Sequence, residues 1–232
     1  MMWILWMACT PPPTEVLLSG QVLTGQDSGV GAADVLVSIR NSQTDPHGEV
    51  TTDEDGLFEI SIPSSNVYHM ILSGTGIAAT SFSGIIGQSD LLIPQDELFV
   101  RTDADIAGLR SAFEHCPTAQ EEGGIIEGTV QLRLQDTDDD SFLAANQAMV
   151  EVFNADGVQF DACYLDDDGM SEEDGSTVGS TGRFAAFGVP EGPISVLFKQ
   201  DIGGLIVENY GFVYLAKDGV APFHPAFVDL AG

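Results

Sequence analysis

Two runs of carboxylates carry the most evident chemistry in this sequence. The first is Asp136, Asp138, Asp139 and Asp140; the second is Asp166, Asp167, Asp168, Glu172, Glu173 and Asp174. Calcium takes roughly six to eight oxygen ligands in flexible geometry, and closely spaced carboxylates can supply them. Asp136-x-Asp138-x-Asp140 has the opening of a calcium loop. It then departs from the EF-hand pattern, with Ser141 where the loop needs glycine and Gln147 where it needs its last glutamate. Two readings remain for these runs: a looser calcium site, or a pair of solvated loops.

Other chemistry is thinner. His47, His69, His115 and His224 are scattered, without H-E-x-x-H or a compact zinc spacing. There is no G-x-S-x-G elbow and no phosphate-binding G-x-x-x-x-G-K-[ST] loop. With this many acids, carboxylate pairs at glycosidase spacing arise by chance. The sequence therefore predicts no catalytic residues. Tyr68 and His69 are neighbours in a strand, so one of them should face inward. The aromatics Phe184, Phe187, Phe198, Tyr210, Phe212 and Tyr214 alternate on strands and read as core and rim.

The balance of charge excludes whole classes of partner. There are 36 acidic residues against 7 basic ones, a formal net charge of −29. Nucleic acid and anionic membrane surfaces repel such a chain electrostatically, so nucleic acid is not expected as a partner. A hydrophobic fraction of 44% is that of a folded protein, and 232 residues suit one large domain or two of about a hundred each.

The start of the chain is distinct. Met1 to Ala8 is almost wholly apolar, Cys9 follows, and Thr10-Pro11-Pro12-Pro13-Thr14 is a stiff tether. This resembles the end of a bacterial lipoprotein signal, which implies that Cys9 is lipidated and anchors the chain to a membrane. It departs from that pattern in Trp6, in the short apolar run and in the lack of a basic start. No window reaches the roughly 18 apolar residues of a membrane span. Lipidation of Cys9 would leave Cys116 and Cys163, and an oxidising compartment favours their pairing.

The elements that position these residues are short strands. Residues 16–23, 35–40, 49–52, 58–62 and 67–72 read as strands separated by Gly, Pro, Asn and Asp. Thr51 to Gly56 is an acidic turn feeding the strand at Phe58. Residues 73–87 are small and without clear period. Leu91–Ile93 and Leu98–Val100 are candidate closing strands, and 105–113 has the spacing of one short helix through Ile106, Leu109 and Phe113. The pattern then restarts. Strands are expected at 126–132, 148–153, 158–164, 183–187, 194–199, 205–215 (a strand with its bend) and 226–230, with an Asp-Gly hairpin at Asn154–Gly157.

This places residues 1–14 as signal-like segment and tether, 15–113 as one domain, 114–124 as a polar linker and 125–232 as a second domain. If each strand crosses its sandwich, the loops after the first and third strands of the second domain share an end, and Asp201 joins them. The candidate calcium ligands are then Asp136, Asp138, Asp140, Asp166, Asp168 and Asp201.

Both halves resemble the carboxypeptidase regulatory-like domain, a transthyretin-like seven-stranded sandwich. The residues that carry the resemblance are Gly20-Gln21-Val22, Val35 to Ile39 and Thr52-Asp53-Glu54-Asp55-Gly56-Leu57-Phe58 in the first half. In the second they are Gly128-Thr129-Val130, Val150-Glu151-Val152, Ser180-Thr181-Gly182-Arg183-Phe184 and Val189-Pro190-Glu191-Gly192. The first half lacks the Pro-x-Gly ending, and the second carries an insertion at 166–178. The resemblance implies an all-β chain of two tandem antiparallel Greek-key sandwiches. It also implies a non-catalytic structural, spacing or adhesion role on an exported bacterial protein. The alternative is a calcium-dependent binder of carbohydrate or protein that uses the acidic loops.

Overall fold

The computed structural model describes residues 15–26, 28–41, 43–64, 66–94, 97–134, 142–144, 148–165, 182–202 and 204–230. Among these residues the chain is all-β with one short helix. The first half forms β1 (Glu15–Gln21), β2 (Leu36–Asn41), β3 (Pro46–Thr51), β4 (Leu57–Pro63), β5 (Asn66–Gly74), β6 (Ile77–Ile86) and β7 (Leu91–Leu92). β8 (Arg101–Thr102) and α1 (Asp103–Ala112) follow. The second half forms β9 (Gly124–Leu134), β10 (Phe142–Ala144), β11 (Met149–Asn154), β12 (Gln159–Tyr164), β13 (Arg183–Val189), β14 (Gly192–Ile202), β15 (Leu205–Leu215) and β16 (Val220–Leu230).

The two halves repeat one plan. In the first, β4-β1-β7 faces β3-β2-β5-β6; in the second, β13-β9-β16 faces β12-β11-β14-β15. In both, the first strand runs parallel to the last and antiparallel to its other neighbour. β12 also pairs with β13, and Val220 at the start of β16 bridges Thr80 of β6, so ladders run continuously from one repeat to the other.

The repeated motifs do the same work twice. Gly20 lies opposite Phe58 and Gly128 opposite Phe184, each phenylalanine ring lying over the bare glycine. A Cβ on Gly20 would stand 3.1 Å from the Phe58 ring, and one on Gly128 2.7 Å from the Phe184 ring. Next along, the Val22 amide donates to Gly56 O at 2.8 Å and the Val130 amide to Gly182 O at 2.9 Å. Gly56 and Gly182 have φ of +77° and +67°, where a side chain is strained. In the acidic turn, Asp53 Oδ1 accepts from the amides of Asp55 and Leu57. Asn154 Oδ1 does the same for Asp156 and Val158 in the β11–β12 hairpin.

Each repeat has its own core. Leu18, Val37, Met70 and Leu72 are completely buried in the first; Ile126, Val152, Val196 and Leu215 in the second. The helix begins two residues earlier than its spacing suggests. Thr102 caps it, and Asp105 returns the bond to the Thr102 amide, a capping box. Several elements differ from the sequence reading, among them β10, which it did not expect, and β16, which starts at Val220 and not at 226. Residues 77–86 are a full strand, because Thr80 and Ser81 are both buried and neither face shows alternation. Residues 205–215 form one continuous strand, paired with β14 along its length. Leu98–Val100 is not a strand; Phe99 makes a single bridge to Leu23, and the strand follows at Arg101.

Candidate functional site

The most elaborated place in the molecule is the junction between the repeats. α1 delivers Leu109 and Phe113 into a third apolar cluster, where Ile125, Leu165, Ala185 and Phe187 of the second repeat meet them. The segment 114–124, expected as a linker, is packed into this cluster through Cys116 and Ala119. Cys116 and Cys163 form a disulfide, their Cα atoms 5.9 Å apart, which ties the segment to β12. Arg110 lies over the Phe187 ring at 5.4 Å and donates to the carbonyls of Ala119 and Glu121. A cation in the last turn of α1 thus satisfies carbonyls of the segment that follows.

Beside the cluster lies a cleft of about 310 Å³, lined by α1, Arg101, Glu127 and Arg183. Glu127 is 3% exposed. Its carboxylate accepts from Arg101 Nε at 2.8 Å and meets Nη2 at 2.6 Å, while the same guanidinium covers the Phe99 ring. A carboxylate so enclosed can pair charge across the junction.

A second contact joins the repeats on the other side. Both Tyr68 and His69 are buried, because β5 is covered on two faces: Tyr68 by its own core, His69 by β15. Burial, then the nearby Glu97 carboxylate, pushes the Tyr68 phenol up to about 12. His69 Nδ1 lies 2.6 Å from Ser83 Oγ, and its ring packs against Phe212 and Tyr214. Desolvation and then the Arg40 guanidinium hold its imidazole below the ordinary value. Arg40 in turn lies 4.9 Å over the Tyr214 ring. The amides of Tyr214 and Ala216 donate to the hydroxyls of Ser83 and Ser81. These residues escape a sequence reading. Their signal is the unpatterned small-residue stretch 77–86, which marks a strand covered on both faces.

Of the candidate metal ligands, Asp136, Asp138, Asp140, Asp166 and Asp168 lie outside the described residues, as does Cys9. Asp201 is exposed near the end of β14, where its Oδ1 accepts from the Gly204 amide at 2.7 Å. The ladder directions bring the C-terminal ends of β9, β12 and β14 to one end of the second sandwich. Among the described residues no group of three or more His, Cys, Asp or Glu could hold a metal. Nor, among them, is any helix long and apolar enough to cross a membrane.

No family model matches the chain. No curated protein matches it. Solved structures do, at low identity. The Bacillus anthracis TIE protein is 15% identical with a TM-score of 0.33; the match covers 93% of this chain and 34% of that one, so this chain spans about a third of it. The minor pilin GBS52 of Streptococcus agalactiae is 10% identical, TM-score 0.31, over 93% and 96% of the two chains. BcpA, the major pilin subunit of Bacillus cereus, is 11% identical, TM-score 0.31, over 88% and 69%. Likeness at this level stops at the all-β architecture.

Proposed function

We propose that this chain is a non-catalytic, exported surface module with a structural, spacing or adhesion role, built from two carboxypeptidase regulatory-like sandwiches. The observation that carries the reading is the junction: two sandwiches of identical plan are fastened by a buried cluster, an Arg–Glu pair and the Cys116–Cys163 bond. A disulfide belongs to an oxidising compartment, and a fixed inter-domain angle suits a spacer. Lipidation at Cys9, followed by the Pro11–Pro13 tether, would hold the module at a membrane of the cell envelope and present it to protein or carbohydrate at the surface. The test compares the full chain with Cys9→Ser by cell fractionation and by protease treatment of intact cells. The full chain should sit in the membrane fraction, carry fatty acid and be cut from outside; Cys9→Ser should lose the lipid. Unlipidated full chain in the cytosol with reduced Cys116 and Cys163 would defeat the reading.

A second reading rests on the shared end of β9, β12 and β14, which lead toward the acidic segments and Asp201. It makes that end a calcium site. Calcium at about a hundred times its dissociation constant should then add about 2.7 kcal/mol to unfolding. Substitution of Asp136, Asp138 and Asp140 by Asn should abolish the gain. A melting curve unchanged between calcium and chelator leaves the acids as solvated surface.

A further inference from the structure

β15 is the outer strand of its sheet, and half of its free edge is already in use. The amides of Tyr214 and Ala216 turn away from β14 and reach the serines of the first repeat. Backbone groups alternate in direction along a strand, so Ile206, Glu208 and Tyr210 present their N–H and C=O groups to that same edge. Among the described residues no strand lies beyond it there. Asn209 Oδ1 accepts from the Tyr210 amide and blunts one position. The side chains around it stay apolar and open: Ile206 is 64% exposed, Tyr210 66% and Phe212 41%. A long strand edge with exposed apolar side chains is a template for a further strand.

Charge selects what that strand is. Register puts Asp201 opposite Ile206, Lys199 opposite Glu208, and Glu151 beside Leu197, which faces Tyr210; Asp161 lies opposite Glu151. Glu151, Asp161, Asp201 and Glu208 therefore share this face with Lys199, whose ammonium is bound to Glu151 at 2.9 Å. A second copy of the chain would bring the same carboxylates and a net charge of −29 to the contact. We propose that the Leu205–Phe212 edge of β15 takes up an extended cationic segment of another protein as an added strand. Its Lys or Arg side chains share the face of Glu208 and Asp201, their stems beside Ile206 and Tyr210, and its alternate, apolar ones turn to the opposite face, where Val207 packs on the core. This inference needs neither the lipid anchor nor export.

The test uses the full chain and two synthetic peptides of about eight residues, one alternating lysine and valine, the other glutamate and valine. Hydrogen exchange of the Ile206 and Glu208 amides is followed by NMR. The lysine peptide should slow it at least about tenfold and the glutamate peptide should not. Tyr210→Lys, at an exposed position, should remove the effect. So should Glu208→Pro, since its N–H faces away from β14 and its loss costs no ladder bond; Glu208→Gln, which keeps that N–H, should retain part of it. No slowing, or equal slowing by both peptides, overturns the proposal. Protection of these amides without peptide, rising with protein concentration as a dimer forms, also overturns it and assigns the edge to a second copy.

Discussion

Opening the Cys116–Cys163 bond should cost about 4 kcal/mol of stability. The two cysteines are 47 residues apart. In the chain-entropy account, closing a loop of that length removes about 13 to 14 cal/mol/K from the unfolded ensemble, or about 4 kcal/mol near room temperature. A chain of this size shifts by about 2–4 °C per kcal/mol, so the melting temperature should fall by about 8–16 °C. The assay is scanning calorimetry of the purified protein with and without dithiothreitol, alongside the double variant Cys116→Ala, Cys163→Ala. Far-ultraviolet circular dichroism should be unchanged at low temperature, because both repeats keep their own cores. Reduced wild type should melt close to the double variant. A fall below about 3 °C in both would refute the reasoning and leave the apolar cluster as what orders the junction.

Three further outcomes follow from named contacts. A Cβ on Gly128 would stand 2.4 Å from the Phe223 carbonyl oxygen, which cannot swing aside, so Gly128→Ala should lose about 2 kcal/mol or more; Gly25→Ala, with nothing within 4 Å, is the control in the same urea titration. The His69 pKa lies below its unfolded value of 6.5, so its share of stability is full above that pH and is lost as pH falls through 6.5 toward the folded value. The melting temperature of His69→Gln should accordingly fall less than that of wild type over this window; parallel curves would sink the assignment. Arg101→Met takes the guanidinium away from the buried Glu127 carboxylate and should cost about 3 kcal/mol in denaturant unfolding. Adding Glu127→Gln in the same chain should recover part of the loss, measured as a coupling energy.

The repeat was legible because its motifs are backbone requirements. A positive φ at Gly56 and Gly182, and a ring over Gly20 and Gly128, restrict the residue type so strongly that spacing alone reveals them. The helix was legible through Leu109 and Phe113, though not its start, which the Thr102–Asp105 exchange fixes. The packing of segment 114–124 was not legible. Its polar residues Glu114, Glu121 and Glu122 stay exposed while the side chains of Cys116 and Ala119 turn inward, so its average composition reads as a linker. β6 was hidden for a related reason. Alternation marks a strand with one wet face, and both of its faces are covered in the middle. The contacts of His69 and Ser83 depend on how one repeat leans on the other, which no local pattern encodes.

The parallel pairing of first and last strands has a mechanical consequence. In the second repeat, β9 and β16 run side by side in the same direction, from Ile125 opposite Val220 to Leu134 opposite Leu230. Tension that pulls the start of β9 one way and the end of β16 the other loads this ladder lengthwise. Its hydrogen bonds must then slide together and cannot open one after another, as those of an antiparallel hairpin can when its ends are drawn apart. β1 and β7 repeat the arrangement on a shorter scale. The second sandwich is thereby the tougher link under end-to-end load, and the first is where a stretched chain gives way.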